Sequence, residues 1–126
     1  MLFRSTMRPE NLRAIPGDVD STDIMDAGWH CSSCFKTIKQ VEDKLEGFSH
    51  ADSFNTPENR DPKTIVDRYR KGLDLYGREN ENYQAYPTID IPPFIKQNAK
   101  RFKYLVDRTG PTAEFIDYAD YINGTG

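Results

Sequence analysis

Both cysteines, the only tryptophan and one of the two histidines fall within Asp26-Ala27-Gly28-Trp29-His30-Cys31-Ser32-Ser33-Cys34-Phe35. Immediately downstream, Phe35, Ile38, Val41, Leu45 and Phe48 recur at steps of three or four. Lys36, Lys39, Glu42, Asp43 and Glu46 fill the positions between them. That period places the apolar residues on one helical face. The scarce side chains therefore sit at a loop-to-helix junction. The spacing predicts a helix beginning after Ser32 or Ser33, whose hydroxyls suit the first-turn amides, and stopping at a left-handed Gly47. His50 follows just past its end.

A second helix is signalled by Asp61 as N-cap and Pro62 at the first helical position, where a missing amide costs nothing. Ile65, Val66, Tyr69 and Leu73 form its expected buried stripe. Arg68, Arg70 and Lys71 lie near the carboxyl end, where cations favour the helix dipole, and Gly72 terminates it. Leu73 to Gly77 reads as a short extended piece or tight turn, and residues 78–88 as loop. Ile89-Asp90-Ile91 is extended before Pro92 and Pro93. From Pro93 to Val106 either a helix or, over Phe102–Val106, a strand is compatible with the pattern.

Residues 1–25 form an irregular lead-in punctuated by Pro9, Pro16 and Gly17, with Leu12–Ile15 as a candidate short strand. Residues 111–126 form an acidic tail, with Phe115, Ala119 and Ile122 as one weak amphipathic stripe. At 126 residues one domain or partial domain is expected. With 37% hydrophobic and 29% charged residues, its core is thin. The net charge of −3 argues against a nucleic-acid partner. No apolar run reaches the ~18 residues of a membrane span, and Arg4, Arg8, Glu10 and Arg13 interrupt any signal peptide. The chain reads as soluble.

Cys31-Ser32-Ser33-Cys34 admits a redox dithiol, a zinc site, a short-loop disulfide or two buried thiols. The zinc reading needs His30 and His50 as the remaining ligands, and the redox reading lacks the βαβ context that usually precedes it. Disulfide and buried thiols are the structural readings. Trp29-His30 suits a sugar, because pyranose C–H faces stack on an aromatic ring while hydroxyls need directional partners. The alternative is a core tryptophan beside a satisfied histidine. Asp26 is a candidate general base or a solvated cap. Asp18-Val19-Asp20 has the spacing with which two carboxylates share a divalent cation with a diphosphate, within an Asp-rich loop. Asn123-Gly124-Thr125 is a glycosylation sequon.

Gly28-Trp29-His30-Cys31-Ser32, the second cysteine with Phe35, and Phe48-Ser49-His50 together resemble glycosyltransferase family 17. This is the group of β-1,4-mannosyl-glycoprotein N-acetylglucosaminyltransferase-like proteins. Supporting pieces are Arg60-Asp61-Pro62, Gly72-Leu73-Asp74-Leu75, Asp90-Ile91-Pro92-Pro93-Phe94 and Arg101-Phe102-Lys103-Tyr104-Leu105. The resemblance implies an α/β nucleotide-sugar-binding fold of the GT-A type. By this resemblance the chain looks like the carboxyl-terminal, acceptor-side part of such an enzyme, without implied activity by itself, and is expected to be mostly helical with short strands and long loops. It implies UDP-N-acetylglucosamine as donor, manganese as a divalent metal, a glycan or glycoprotein acceptor, and the Golgi or secretory lumen. The family's Asp-x-Asp-Glu-Ile-Pro element belongs well upstream of the tryptophan motif, whereas Asp18-Val19-Asp20 lies close to it and continues as Ser-Thr. Within this resemblance Asp26 or His30 is the catalytic base, Trp29 the acceptor-sugar platform and His50 a late metal ligand. Two other classes fit parts of the sequence: a non-catalytic carbohydrate or protein interaction module, and a small CxxC thiol protein.

Overall fold

The computed structural model describes residues 3–7, 24–81 and 90–124. Strands β1 (Phe3–Met7) and β2 (Ile24–His30) pair antiparallel, and seven short helices follow among the described residues. These are α1 (Ile38–Gly47), α2 (Ala51–Phe54), α3 (Pro57–Arg60), α4 (Pro62–Lys71), α5 (Pro93–Gln97), α6 (Lys103–Val106) and α7 (Tyr118–Ile122). The mostly helical character with short strands agrees with expectation. Among the described residues the two-stranded ribbon is the whole of the sheet, so the GT-A expectation rests on the resemblance alone. The candidate strand Leu12–Ile15 and the pair Asp18 and Asp20 lie outside the described residues.

Apolar faces of α1 and α4 make the core. Ile38, Val41 and Leu45 from α1 meet Ile65 and Val66 from α4, with Leu75, Ala113 and Phe115 completing the cluster. Each such aliphatic side chain contributes roughly 1.5–3 kcal/mol when fully buried. The tail is thus part of the core. Tyr118 and Tyr121 pack against it, and Tyr121 donates its phenol hydrogen to Glu42 Oε2 at 2.7 Å. The expected stripe of Phe115, Ala119 and Ile122 is not the buried one: Phe115 precedes α7, and Ala119 and Ile122 face solvent.

Helix α1 starts later than the serines suggest. Its N-cap is Thr37, whose hydroxyl accepts from the Gln40 amide, while Gln40 Oε1 accepts from the Thr37 amide. This reciprocal box satisfies amides that lack intrahelical partners. The Asp117 carboxylate takes two more, from Ile38 N at 2.8 Å and Lys39 N at 3.1 Å. Ser32 and Ser33 are instead held inside the Cys31–Cys34 loop. At the other end Gly47 remains helical and Phe48 leaves in extended conformation, φ −97° and ψ 163°. The Phe48 ring stacks on Tyr76 with centroids 4.9 Å apart, which directs the exit without a left-handed glycine.

The ends of α4 are those expected. Asp61 accepts from Thr64 N at 2.8 Å, Pro62 opens the helix, and Gly72 closes it at φ 66°. Its buried stripe differs at one position. Leu73, beyond the left-handed turn, is 47% exposed, and Arg68 is buried instead. The Arg68 guanidinium donates to Asn59 Oδ1 at 2.7 Å and to the Leu75 carbonyl at 2.9 Å. Asn59 Nδ2 in turn donates to the carbonyls of Phe54 and Tyr76. Gly77, at φ 70°, lets the loop pass this guanidinium: a Cβ there would meet Arg68 Nη2 at 2.6 Å. Farther on, the Pro93–Val106 stretch breaks into α5 and α6 across turns at 98–102, so Phe102–Val106 is not a strand.

Asp74 closes the same loop. Its carboxylate accepts from the amides of Tyr76 and Arg78 and from the Arg78 guanidinium at 2.8 and 3.1 Å. Burial alone would raise its pKa, but the Arg78 bonds and charge outweigh it and hold the carboxyl below its usual range. A depressed folded-state pKa gives stability that is present above the unfolded value and lost as pH falls through the folded one. Urea midpoints are therefore expected to decline on acidification below about pH 4. Asp74→Asn should start lower at pH 7 and flatten that acid limb.

Candidate functional site

The Trp29-His30 segment closes strand β2. Arg4 pairs with Trp29 and Phe3 with His30 in the antiparallel register. Between the pairs Ser5–Gly28 and Met7–Ile24, β1 advances by two residues and β2 by four, so β2 bulges over Met25-Asp26-Ala27. Bulges re-aim a strand and are common beside active sites. Asp26 thus occupies the bulged backbone, with Gly28 between it and the Trp-His pair.

Trp29 is 37% exposed, which sets aside a fully buried core position. Its indole Nε1 donates to the Asp90 carbonyl at 2.8 Å, fixing the ring against the segment before α5. His30 is exposed. A Cβ built on Gly28 meets nothing within 4 Å, so space is open beside the strand at this point.

Cys31 and Cys34 are joined as a disulfide, with Cα atoms 5.6 Å apart. That separation lies within the ~4.4–6.8 Å range of such bonds. The loop is gripped by its backbone carbonyls. Lys44 Nζ, from α1, donates to the Ser32 carbonyl, and its ammonium lies 5.5 Å from the Phe35 ring centroid. Tyr69, from α4, donates its hydroxyl to the Ser33 carbonyl at 2.9 Å. Arg108 Nη2 donates to the Phe35 carbonyl. Burial pushes the Lys44 ammonium pKa down and the Tyr69 phenol well up, so Tyr69 acts as a neutral hydroxyl donor in the neutral range. Three donors on separate elements thus hold the connection from β2 to α1.

His50 lies elsewhere in the chain's layout, as the N-cap residue of α2, with its ring edge-on to Phe48 at 6.1 Å. Phe48, Phe54 and Tyr76 form the aromatic group beneath it, with Phe54 and Tyr76 5.3 Å apart. Among the described residues no group of three or more His, Cys, Asp or Glu is placed to hold a metal ion. His30, His50 and the two cysteines form no zinc site: the thiols are oxidised to one another. Lys44, Tyr69, Asp90 and Arg108 are site residues that sequence reading missed. Their contacts with the Trp29–Phe35 stretch span 12, 36, 61 and 73 residues, beyond any local pattern.

The model for glycosyltransferase family 17 matches residues 18–110. The chain belongs to this family. No curated protein and no solved structure matches it. The family 17 match takes in β2, the disulfide loop, α1 to α6 and Arg108, and it stops short of Ala113, Phe115 and Asp117. The glycosyltransferase region is therefore closed by tail residues lying past the match.

Because Trp29 is the only tryptophan, its emission reports directly on this site. A disulfide closing a four-residue loop stabilises by about 2 kcal/mol on chain-entropy grounds. The double variant Cys31→Ser/Cys34→Ser is expected to lose about that much in urea unfolding. Its Trp29 emission should shift to the red while the helical far-ultraviolet signal stays.

Proposed function

We propose that this family 17 chain carries the acceptor side of a transferase that moves N-acetylglucosamine from UDP-N-acetylglucosamine to a mannose of an N-glycan. The observation that carries the reading is Trp29, a half-exposed ring whose only polar atom is tied back to the Asp90 carbonyl. An indole fixed in this way offers a face to a pyranose without first losing rotamer freedom. His30 follows directly, exposed, and supplies the directional contact that a sugar hydroxyl requires.

In this reading the acceptor hydroxyl gives its proton to one base, the Asp26 carboxylate or the His30 imidazole, as its oxygen attacks the anomeric carbon. The glycosidic bond to the diphosphate breaks and UDP leaves. Both candidates stand on β2, one in the bulge and one at the strand's end. A divalent cation such as manganese would neutralise the departing diphosphate. His50 offers that cation a single imidazole, and the described residues bring it no second ligand, so no step is assigned to His50 here. The disulfide supports an oxidising compartment such as the secretory lumen. Among the described residues no helix is long and apolar enough to cross a membrane.

The test is a product analysis. A family 17 enzyme that contains this chain together with a donor side, given UDP-N-acetylglucosamine, manganese and a mannose-terminated N-glycan, should give a glycan heavier by one N-acetylhexosamine, β-linked to mannose. Glycan binding without transfer would replace the reading with a carbohydrate-binding module. Donor hydrolysis with no transfer to any mannoside would remove the acceptor assignment.

A further inference from the structure

Seven asparagines occur in the chain, and Asn123 alone is followed at the second position by Ser or Thr, in Asn123-Gly124-Thr125. Whether such a triplet can be modified depends on where the fold puts its carboxamide. Helix α7 is amphipathic in one direction: Tyr118 and Tyr121 turn inward, the latter to Glu42, while Ala119, Asp120, Ile122 and Asn123 are exposed. Asn123 is the residue that ends the helix, at φ −85° and ψ 0°. Its amide donates to the Ala119 carbonyl at 3.0 Å, and the Gly124 amide donates to Tyr121 at 3.4 Å. The backbone of the turn is thereby satisfied, and among the described residues the Asn123 carboxamide makes no hydrogen bond. Gly124 takes φ 74°, and a Cβ there would meet nothing within 4 Å.

A second, separate observation concerns the compartment. The Cys31–Cys34 disulfide fits a compartment where thiols are oxidised, which is also where asparagine-linked glycans are added. A third is the neighbouring surface. Ile116 and Ile122 on the same tail are exposed aliphatics, and a bulky hydrophilic substituent next to them would shield apolar surface that otherwise favours self-association.

We propose that Asn123 is an N-glycosylation site of this protein, so that the chain itself carries a glycan on the outer side of α7. The co-reactant is an oligosaccharide linked through its anomeric carbon to a lipid diphosphate. A bond forms between Asn123 Nδ2 and the anomeric carbon, the bond from that carbon to the diphosphate oxygen breaks, the lipid diphosphate leaves with the electron pair, and the amide nitrogen loses one proton. The proposal is independent of the transferase reading, since it concerns the chain as acceptor.

The full chain, behind a cleavable secretory signal in a eukaryotic host, provides the test. Its lumenal pool should show one discrete mass increase, removed by peptide N-glycosidase with conversion of residue 123 to aspartate and uptake of heavy oxygen from labelled water. Asn123→Gln and Thr125→Ala should each abolish the increase, and Thr125→Ser should retain it. Reading both secreted and retained lumenal chain keeps the result independent of export efficiency. Unmodified Asn123 peptide throughout the lumenal pool, or a glycan that survives Asn123→Gln, would overturn the assignment.

Discussion

In an enzyme that joins this chain to a donor side, His30→Ala is expected to lower turnover by ~10²–10⁴-fold if the imidazole is the base that takes the acceptor proton. Trp29→Ala is expected to raise the acceptor KM and leave kcat near the parent value. The difference follows from when each contact is strongest. A proton is transferred only in the transition state, whereas a ring stacks on a sugar equally well before and during reaction. Asp26→Asn completes the comparison: the carboxylate and the imidazole are alternative bases, and the larger fall in kcat identifies which one acts. Stability guards the interpretation. Truncating a fully buried tryptophan costs roughly 3–5 kcal/mol. Trp29 is 37% exposed, so its variant should melt close to the parent. Trp29→Phe, which keeps a ring but loses the bond to the Asp90 carbonyl, should fall between the two in KM. Unfolding of both Ala variants, with ordinary specific activity in the fraction that stays folded, would return Trp29 and His30 to a structural role.

Local signals carried most of what the sequence revealed, and distant ones carried what it did not. Helix α4 was readable at both ends because Asp61, Pro62 and Gly72 act within one turn of themselves. The core face of α1 was readable because Ile38, Val41 and Leu45 repeat with the helical period, and all three are fully buried. Its start was misplaced because two serines compete with Thr37 as caps. Thr37-Ile38-Lys39-Gln40 does carry the capping-box pattern, so the signal was present and outranked by composition. Arg68 and Arg108 could not be placed. A cation on a helix or loop reads as surface, and burial here depends on carbonyls that only the fold brings near. Asp117 belongs to the acidic tail expected over residues 111–126, yet it caps a helix that begins 79 residues earlier. At the candidate site the grouping of Trp29, His30 and the cysteines is purely sequential and was visible at once. The clamp around it is tertiary and was not.

The largest stability loss is expected at Arg108. Arg108 is only 9% exposed, and its guanidinium lies between aromatic rings, with Cζ 4.7 Å from the Tyr69 centroid, 4.6 Å from Phe115 and 5.7 Å from Tyr104. Nη1 donates to the Ala113 carbonyl at 2.7 Å and Nη2 to that of Phe35, while Nε is buried with no hydrogen-bond partner among the described residues. Burial lowers its pKa, and electrostatic interaction with Tyr69, Tyr104 and Glu114 opposes the shift. An arginine nevertheless remains charged across the accessible range. One residue therefore ties the disulfide segment, α4, α6 and the tail together. Arg108→Met retains much of the volume and the ring contacts but leaves two carbonyls without their donor. Each orphaned group costs about 1–3 kcal/mol, and lost cation–π attraction adds to it, so a fall of about 3–5 kcal/mol is expected in urea unfolding. Arg108→Lys should recover only part, since an ammonium does not span both carbonyls as a planar fork does. The linkage to the site gives a second readout. Releasing the Phe35 carbonyl should loosen the loop that follows Trp29, so the single-tryptophan emission of Arg108→Met should move to the red well below the global unfolding midpoint. An unfolding free energy within 1 kcal/mol of the parent, or ~0.7 of an energy decade, together with unchanged emission would reduce the box to replaceable apolar packing.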